Sequence, residues 1–242
     1  MPEAVIKLEN VWKTYKLAEE KLSILKGINL EIMPGSFVTI MGPSGSGKST
    51  LMYLLGLLDT PSSGKILFNG QDISRFSEDK LAQIRGKKIG FIFQQFNLLQ
   101  NLTALENVML PMVFQGVSEE ERKKRAKILL DSVDLEHRIN HKPKEMSGGE
   151  QQRMAIARSL VNDPEILIGD EPTGNLDSST GKTVMEILAK LHREQKKTII
   201  VVTHDPTIAH YSQNIIHIKD GQIVSNHFQD KEVLWAEENG KK

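Results

Sequence analysis

Residues Gly42-Pro43-Ser44-Gly45-Ser46-Gly47-Lys48-Ser49 fill the pattern GxxxxGKS/T. That order of residue types suits one chemistry, the holding of phosphate groups. Glycines let successive backbone N–H groups turn inward without a Cβ in the way, forming a nest for anionic oxygens. A helix that starts at the lysine adds its partial positive charge at the same point. Lys48 then reaches the β- and γ-phosphates, the Ser49 hydroxyl ligands Mg²⁺, and Thr50 follows in the first helical turn.

Two other stretches supply groups that such a loop needs from elsewhere in the chain. The apolar run Ile166-Leu167-Ile168-Gly169 ends in Asp170-Glu171-Pro172. Ligands of parallel sheets sit beyond the carboxyl ends of strands. Asp170 is therefore expected to hold Mg²⁺ through water, and Glu171 to orient or deprotonate an attacking water. Pro172 disfavours helical geometry at Glu171. Thr203-His204-Asp205-Pro206 closes a β-branched run. Asp205 and Pro206 suit the cap and first position of a helix, which leaves His204 to donate a hydrogen bond to a γ-phosphate.

The elements that must position these groups follow from periodicity and turn residues. Phe37–Met41 is a short buried strand entering the loop, and 51–55 continue as a helix behind it. Residues 5–15, 29–32 and 65–68 are expected strands, with Asn69-Gly70 as a hairpin turn. Together they form an antiparallel portion ahead of a parallel core. A helix over 77–85 and a strand over 89–93 come next. From 94 to 161 no further strand pattern occurs: 103–116 is apolar around Pro111, 118–133 is an amphipathic helix with a solvated charged face, and 147–161 is a third helix. This block is expected to be a helical subdomain, 94–161, inserted in an α/β core made of 1–93 and 162–229. Strand 166–169, helix 178–194, strand 198–203 and a hairpin of 215–219 with 222–225 complete that core. A charged tail, helical or frayed, runs from 230.

The chain has 242 residues, of which 31 are basic and 31 acidic, so its formal charge is zero. One α/β domain accounts for that length. No long-range field draws in DNA, RNA or anionic lipid, so nucleic acid is not an expected partner. There is no cysteine, which excludes disulfides and thiolate metal sites and agrees with a reducing compartment. The N-terminus lacks a basic-then-apolar leader pattern, and the apolar runs fall far short of the roughly 20 residues of a membrane span. A soluble, cytoplasmic protein is expected, with membrane contact only through a partner.

The stretch Met146-Ser147-Gly148-Gly149-Glu150-Gln151-Gln152-Arg153, taken with the phosphate loop and Asp170-Glu171, resembles the signature of ATP-binding cassette (ABC) ATPases. The resemblance covers residues 5–226 and implies a P-loop NTPase (RecA-like) core with an N-terminal antiparallel β subdomain and an inserted helical subdomain. It also implies ATP hydrolysis with Mg²⁺. Tyr15 matches the aromatic that stacks on adenine, the reading favoured here over a tyrosine simply packed at a strand end. Gln94 matches the glutamine that touches Mg²⁺ and couples the core to the helical block. Asp177 matches a loop residue that caps its helix and crosses a dimer interface, and His204 matches the switch histidine. Two chains would face head to tail, with Ser147, Gly148 and Gly149 of one completing the nucleotide site of the other.

Phe93-Gln94-Gln95-Phe96-Asn97-Leu98-Leu99 and Glu171-Pro172-Thr173-Gly174-Asn175-Leu176-Asp177 look like the lipoprotein-release and macrolide-exporter subfamily. That resemblance implies an integral membrane transporter subunit as partner and a place on the cytoplasmic face of the membrane. Export, extraction of a lipoprotein and signalling to a cell-division or envelope complex all remain open at this level. A soluble ATPase acting on DNA or the ribosome would need a long coiled coil or a second cassette, and the chain has neither. The sequence departs from the family pattern at Met146, where leucine is commoner, and at Glu150, where glutamine is commoner. Because a carboxylate aimed at a γ-phosphate would be repelled, Glu150 is expected to bond back to the Ser147 N–H in a capping box. At Gly169 a larger residue is more usual.

Overall fold

The computed structural model describes residues 3–17 and 20–228; the tail expected from 230 lies outside the described residues. The elements in chain order are β1 (Ile6–Leu17), β2 (Glu20–Ile32), β3 (Phe37–Met41), α1 (Lys48–Leu55), β4 (Ser63–Phe68), β5 (Gln71–Asp72), α2 (Glu78–Lys88), β6 (Ile89–Phe93) and α3 (Ala104–Val113). Then come α4 (Glu119–Asp131), α5 (Gly148–Leu160), β7 (Ile166–Asp170), α6 (Ser178–Gln195), β8 (Thr198–Thr203), α7 (Pro206–Ala209), β9 (Asn214–Lys219) and β10 (Gln222–Phe228). Two compact units result. One contains the described residues up to Phe76 and from Thr198 to Phe228, the other Ser77–Lys197.

The first unit contains an antiparallel sheet ordered β2-β1-β4-β5 and a second set ordered β10-β9-β3-β8. In the second set β3 runs parallel to both β8 and β9, and β10 is antiparallel to β9. All five residues of β3 and all six of β8 are buried. A near-continuous apolar run, here interrupted in β3 by Thr39, is what a parallel strand needs when both faces are covered. Each fully buried Phe or Ile there contributes about 1.5–3 kcal/mol. Helix α1 buries Leu51, Met52, Leu54 and Leu55. At the β4–β5 hairpin, Asn69 and Gly70 take φ of 46° and 74°, the paired left-handed geometry that Asn-Gly favours.

Strand β2 is much longer than the expected 29–32. It starts at Glu20 and pairs with β1 across register shifts between Leu8 and Val11, Val11 and Lys13, and Lys13 and Thr14. Each bulge resets which side chains face inward. Residues 20–28 therefore show no clean alternation, and Gly27 leaves the extended region with a φ of 65°.

In the second unit β6 and β7 pair in parallel, from Ile89 with Ile166 to Phe93 with Asp170. Helix α5 packs against β6, α3, α4 and α6. Between 94 and 161 the described residues form helices and two short 3₁₀ turns, Glu136–Arg138 and Pro143–Glu145, with no strand. Local caps start these helices: Ser77 caps α2, Ser118 caps α4, and Thr103 with Glu106 forms a full capping box on α3. Pro111 is accommodated inside α3 near its end. No helix among the described residues is long and apolar enough to cross a membrane.

Candidate functional site

In the first unit, β3 delivers its last residue, Met41, into parallel register with Thr203 of β8. Gly42 and His204 therefore follow at the same end of neighbouring strands. Gly42 has no alternative: a Cβ there would lie 2.2 Å from the Ile218 carbonyl oxygen. Gly47, with φ of 102°, turns the chain into α1 as its cap residue. No side chain caps α1, and its first turn carries no acidic residue, so the helix start presents its N–H groups without a competing carboxylate. Lys48 donates from Nζ to the carbonyls of Gly42 and Pro43, both at 2.8 Å. Those bonds use two of its three protons and hold the ammonium over the loop. The Ser46 hydroxyl is buried and has no hydrogen-bond partner. An orphaned hydroxyl and an uncapped helix start beside an ammonium fit a polyphosphate with its cation. Among the described residues, no three His, Asp or Glu side chains cluster to hold a metal by themselves.

Tyr15 also belongs to this unit. Its hydroxyl donates to Asp59 Oδ2 at 2.8 Å, and Lys13 Nζ lies 5.0 Å from the ring centroid. Partial burial, then the bond to Asp59, raises the phenol's pKa. His204 is exposed, and Asp205 caps α7 by accepting from the Thr207 N–H at 2.8 Å.

In the second unit the register of β6 with β7 pairs Phe93 with Asp170. Gln94 and Glu171 thus leave the same edge side by side. Glu171 adopts φ of 44°, a left-handed conformation uncommon for a residue with a side chain. Pro172 disfavours a right-handed helical backbone at Glu171 but does not itself call for the positive φ, which the surrounding turn must hold. Gln94 and Asn175 clasp each other: Gln94 Nε2 donates to Asn175 Oδ1 at 3.3 Å, and Asn175 Nδ2 donates to the Gln94 carbonyl at 2.8 Å. Asp177 caps α6, accepting from the backbone N–H and hydroxyl groups of both Ser179 and Thr180. The Ser179 and Thr180 hydroxyls first, and then the backbone, hold its carboxyl well below the usual range.

Ser147 caps α5 in the expected capping box, with the Ser147 N–H donating to Glu150 Oε2 at 2.7 Å. Arg138 Nε donates to the other oxygen, Oε1, at 2.8 Å. The Glu150 carboxylate is thus turned to its own helix start. A Cβ on Gly149 would meet Thr180 Cγ2 at 2.4 Å, whereas one on Gly148 would find nothing closer than 3.5 Å. Gly149 therefore also lets α5 approach α6 closely.

Three residues that shape this unit have no individual role assigned from the sequence. Gln152, fully buried, donates to the Pro172 carbonyl at 2.6 Å and so braces the turn after Glu171. Arg158 donates to the carbonyls of Phe96 and Asn97 at 2.8 and 2.6 Å, both of which have positive φ. Asn107, also fully buried, donates to Leu99, Leu102 and Thr103 carbonyls. The only sequence hint was a polar side chain on an otherwise apolar helical face.

A family model described as ABC transporter matches residues 25–174. This chain belongs to that family. The cassette is 52% identical to an uncharacterized ABC transporter ATP-binding protein of Thermotoga maritima, over 90% of this chain and 93% of that one. It is 50% identical to the macrolide export ATP-binding/permease protein MacB of Campylobacter fetus, over 98% of this chain and 37% of that longer protein. A dimeric structure of the cassette MJ0796, in a post-hydrolysis state bound to ADP and Pi, superposes with a TM-score of 0.85 at 49% identity, covering 92% of this chain and 98% of that one. The cassette thus has the α/β P-loop NTPase fold with an antiparallel β subdomain and inserted helices, and it is an ABC ATPase.

Proposed function

We propose that this cassette powers an ABC transporter by closing with a second copy of itself around ATP, and that closure drives an integral membrane subunit engaged in export or in extraction of a substrate such as a lipoprotein. The loop 42–49 carries the reading, with its uncapped helix start, its bonded Lys48 and its orphaned Ser46 hydroxyl. Two relatives support the larger part: MacB joins an ATP-binding and a permease function in its name, and the MJ0796 structure is a dimer with ADP and Pi.

In this reading Tyr15 stacks on adenine while the loop from Gly42 through Pro43, Ser44, Gly45, Ser46 and Gly47 to Lys48, Ser49 and Thr50 holds the phosphates. Ser49, Gln94 and Asp170 would hold Mg²⁺, which would supply charge neutralisation at the phosphates. Glu171 accepts a proton from water as the water oxygen bonds to the γ-phosphorus. The bond to the bridging oxygen breaks, leaving ADP and phosphate. Lys48, His204 and Ser147 of the second copy stabilise the charge that builds on the transferring group, with Gly148, Gly149 and Asp177 lining the same face. The helical subdomain 94–161 receives the membrane partner near Gln94–Leu99, where Leu99 is half exposed; Val113 and Phe114 are exposed on the same subdomain. That partner holds the cassette at the cytoplasmic face of the membrane.

Size-exclusion chromatography of Glu171→Gln with and without ATP and Mg²⁺ tests the reading. A dimer that forms only with ATP, beside slow hydrolysis by the unaltered chain, supports it. A monomer that binds ATP tightly would remove the role of Ser147 and Gly149 on a second copy.

A further inference from the structure

Asp59 lies on the connection from α1 to β4 and has no place in any of the motifs, yet three groups converge on it. Tyr15 donates its hydroxyl proton to Oδ2 at 2.8 Å. Lys13, almost fully buried, donates from Nζ to Oδ1 at 2.5 Å and to the Thr60 carbonyl at 2.8 Å. The Thr60 N–H donates to Oδ1 at 2.7 Å. Burial works against the Asp59 carboxylate, but the Lys13, Tyr15 and Thr60 bonds outweigh it and hold the carboxyl below its usual range. The carboxylate is therefore a charged, fixed acceptor.

A tyrosine kept for packing buries its ring and lets the hydroxyl reach water. Tyr15 does the reverse: the hydroxyl is anchored to a charge pair while the residue stays 36% exposed. The Lys13 ammonium stands over the ring at 5.0 Å and occupies one face. A side chain held only by its strand would sample several χ1 and χ2 positions, and ordering it on binding would cost affinity. Anchoring at the far end of the ring removes that freedom beforehand.

We propose that Asp59 is a positioning residue for the nucleobase, locking the Tyr15 ring in the orientation that receives the base, with Lys13 fixing Asp59 in turn. The proposal rests on the reading that Tyr15 stacks on adenine. It makes base affinity depend on Asp59 while triphosphate affinity does not.

Calorimetric titration of the full chain, with Mg²⁺ present, compares ATP with inorganic tripolyphosphate for Asp59→Ala, Tyr15→Phe and Tyr15→Ala. Ordering one freed side chain on binding corresponds to a roughly three- to tenfold rise in Kd. Asp59→Ala and Tyr15→Phe should each show it for ATP, with tripolyphosphate within about twofold of the unaltered chain. If Asp59→Ala does not fold, because Lys13 loses its carboxylate, Tyr15→Phe decides alone, since it keeps the ring and deletes only the anchor. Unchanged ATP affinity in Tyr15→Phe, beside weakened affinity in Tyr15→Ala, overturns the positioning role and leaves stacking intact. Unchanged affinity in Tyr15→Ala overturns the stacking reading as well. Equal weakening of ATP and tripolyphosphate by Asp59→Ala or Tyr15→Phe marks a general loss of structure and also overturns the proposal.

Discussion

The loop at 42–49 and the turn at 170–177 both leave the ends of parallel strands, but they keep their shapes in different ways. The loop takes its shape largely from its own residues: Gly47 turns left-handed, and Lys48 bonds back to Gly42 and Pro43. The turn is shaped by side chains far away in sequence. Gln152 holds the Pro172 carbonyl, Gln94 and Asn175 clasp each other, and Glu171 sits at a positive φ that its surroundings must enforce. A device built from local backbone geometry is compact and recognisable as a motif. One built from distant hydrogen bonds places a carboxylate accurately but leaves little local trace.

The largest effect expected on either device is that of Glu171→Gln. Phosphate release should fall by about 10²- to 10⁴-fold, the usual contribution of a general base, while ATP affinity stays within a few-fold. Affinity lost together with rate would mean that the turn binds rather than reacts. Next comes Gly42→Ala, whose Cβ would be forced to 2.2 Å from a backbone oxygen. It should cost about 3 kcal/mol in thermal or denaturant unfolding and abolish ATP binding. Gly45→Ala meets nothing within 4 Å but has φ of 77°, so its cost should stay near 1–2 kcal/mol. Equal losses at the two glycines would break the account of the loop as sterically specified.

Gln152→Ala probes the other device. Leaving the Pro172 carbonyl unsatisfied should cost about 1–3 kcal/mol, and kcat should drop with little change in ATP Kd. A fall in ATP affinity instead would show that the brace does not act through the turn.

Glu150→Ala should have the smallest effect, about 1 kcal/mol or 2–4 °C in Tm. Burial opposes the charged form of Glu150, but bonds from the Ser147 N–H and hydroxyl and from Arg138 prevail and depress its pKa. A carboxyl with a depressed folded pKa stabilises fully above the unfolded value, near 4.3, and loses that contribution as pH falls through the folded value. The Tm gap between the unaltered chain and Glu150→Ala should therefore close below about pH 4. A gap that persists there would place its origin in packing.

Much of this cassette could be read before any tertiary structure. The loop, the strand Phe37–Met41, the caps at Asp177, Asp205 and Ser147, and the Ser147–Glu150 box all depend on residues within a few positions of each other. Short-range sterics, helix capping and turn chemistry act within that distance, so residue types at fixed spacing sufficed. The full reach of β2 was hidden because its pairing with β1 passes through bulges, which the strand's own sequence does not encode. Gln152, Arg158 and Asn107 were hidden for a related reason: a buried polar side chain becomes intelligible only when the carbonyl it must satisfy is known. Asp59 is the same case, since its meaning comes from Tyr15 and Lys13 more than forty positions away. The sequence by itself determined which chemistry the chain carries, because phosphate-binding and capping geometries are local. Only the tertiary structure decided how Glu171 and Tyr15 are held, because their orientation depends on hydrogen-bond partners that folding alone brings within reach.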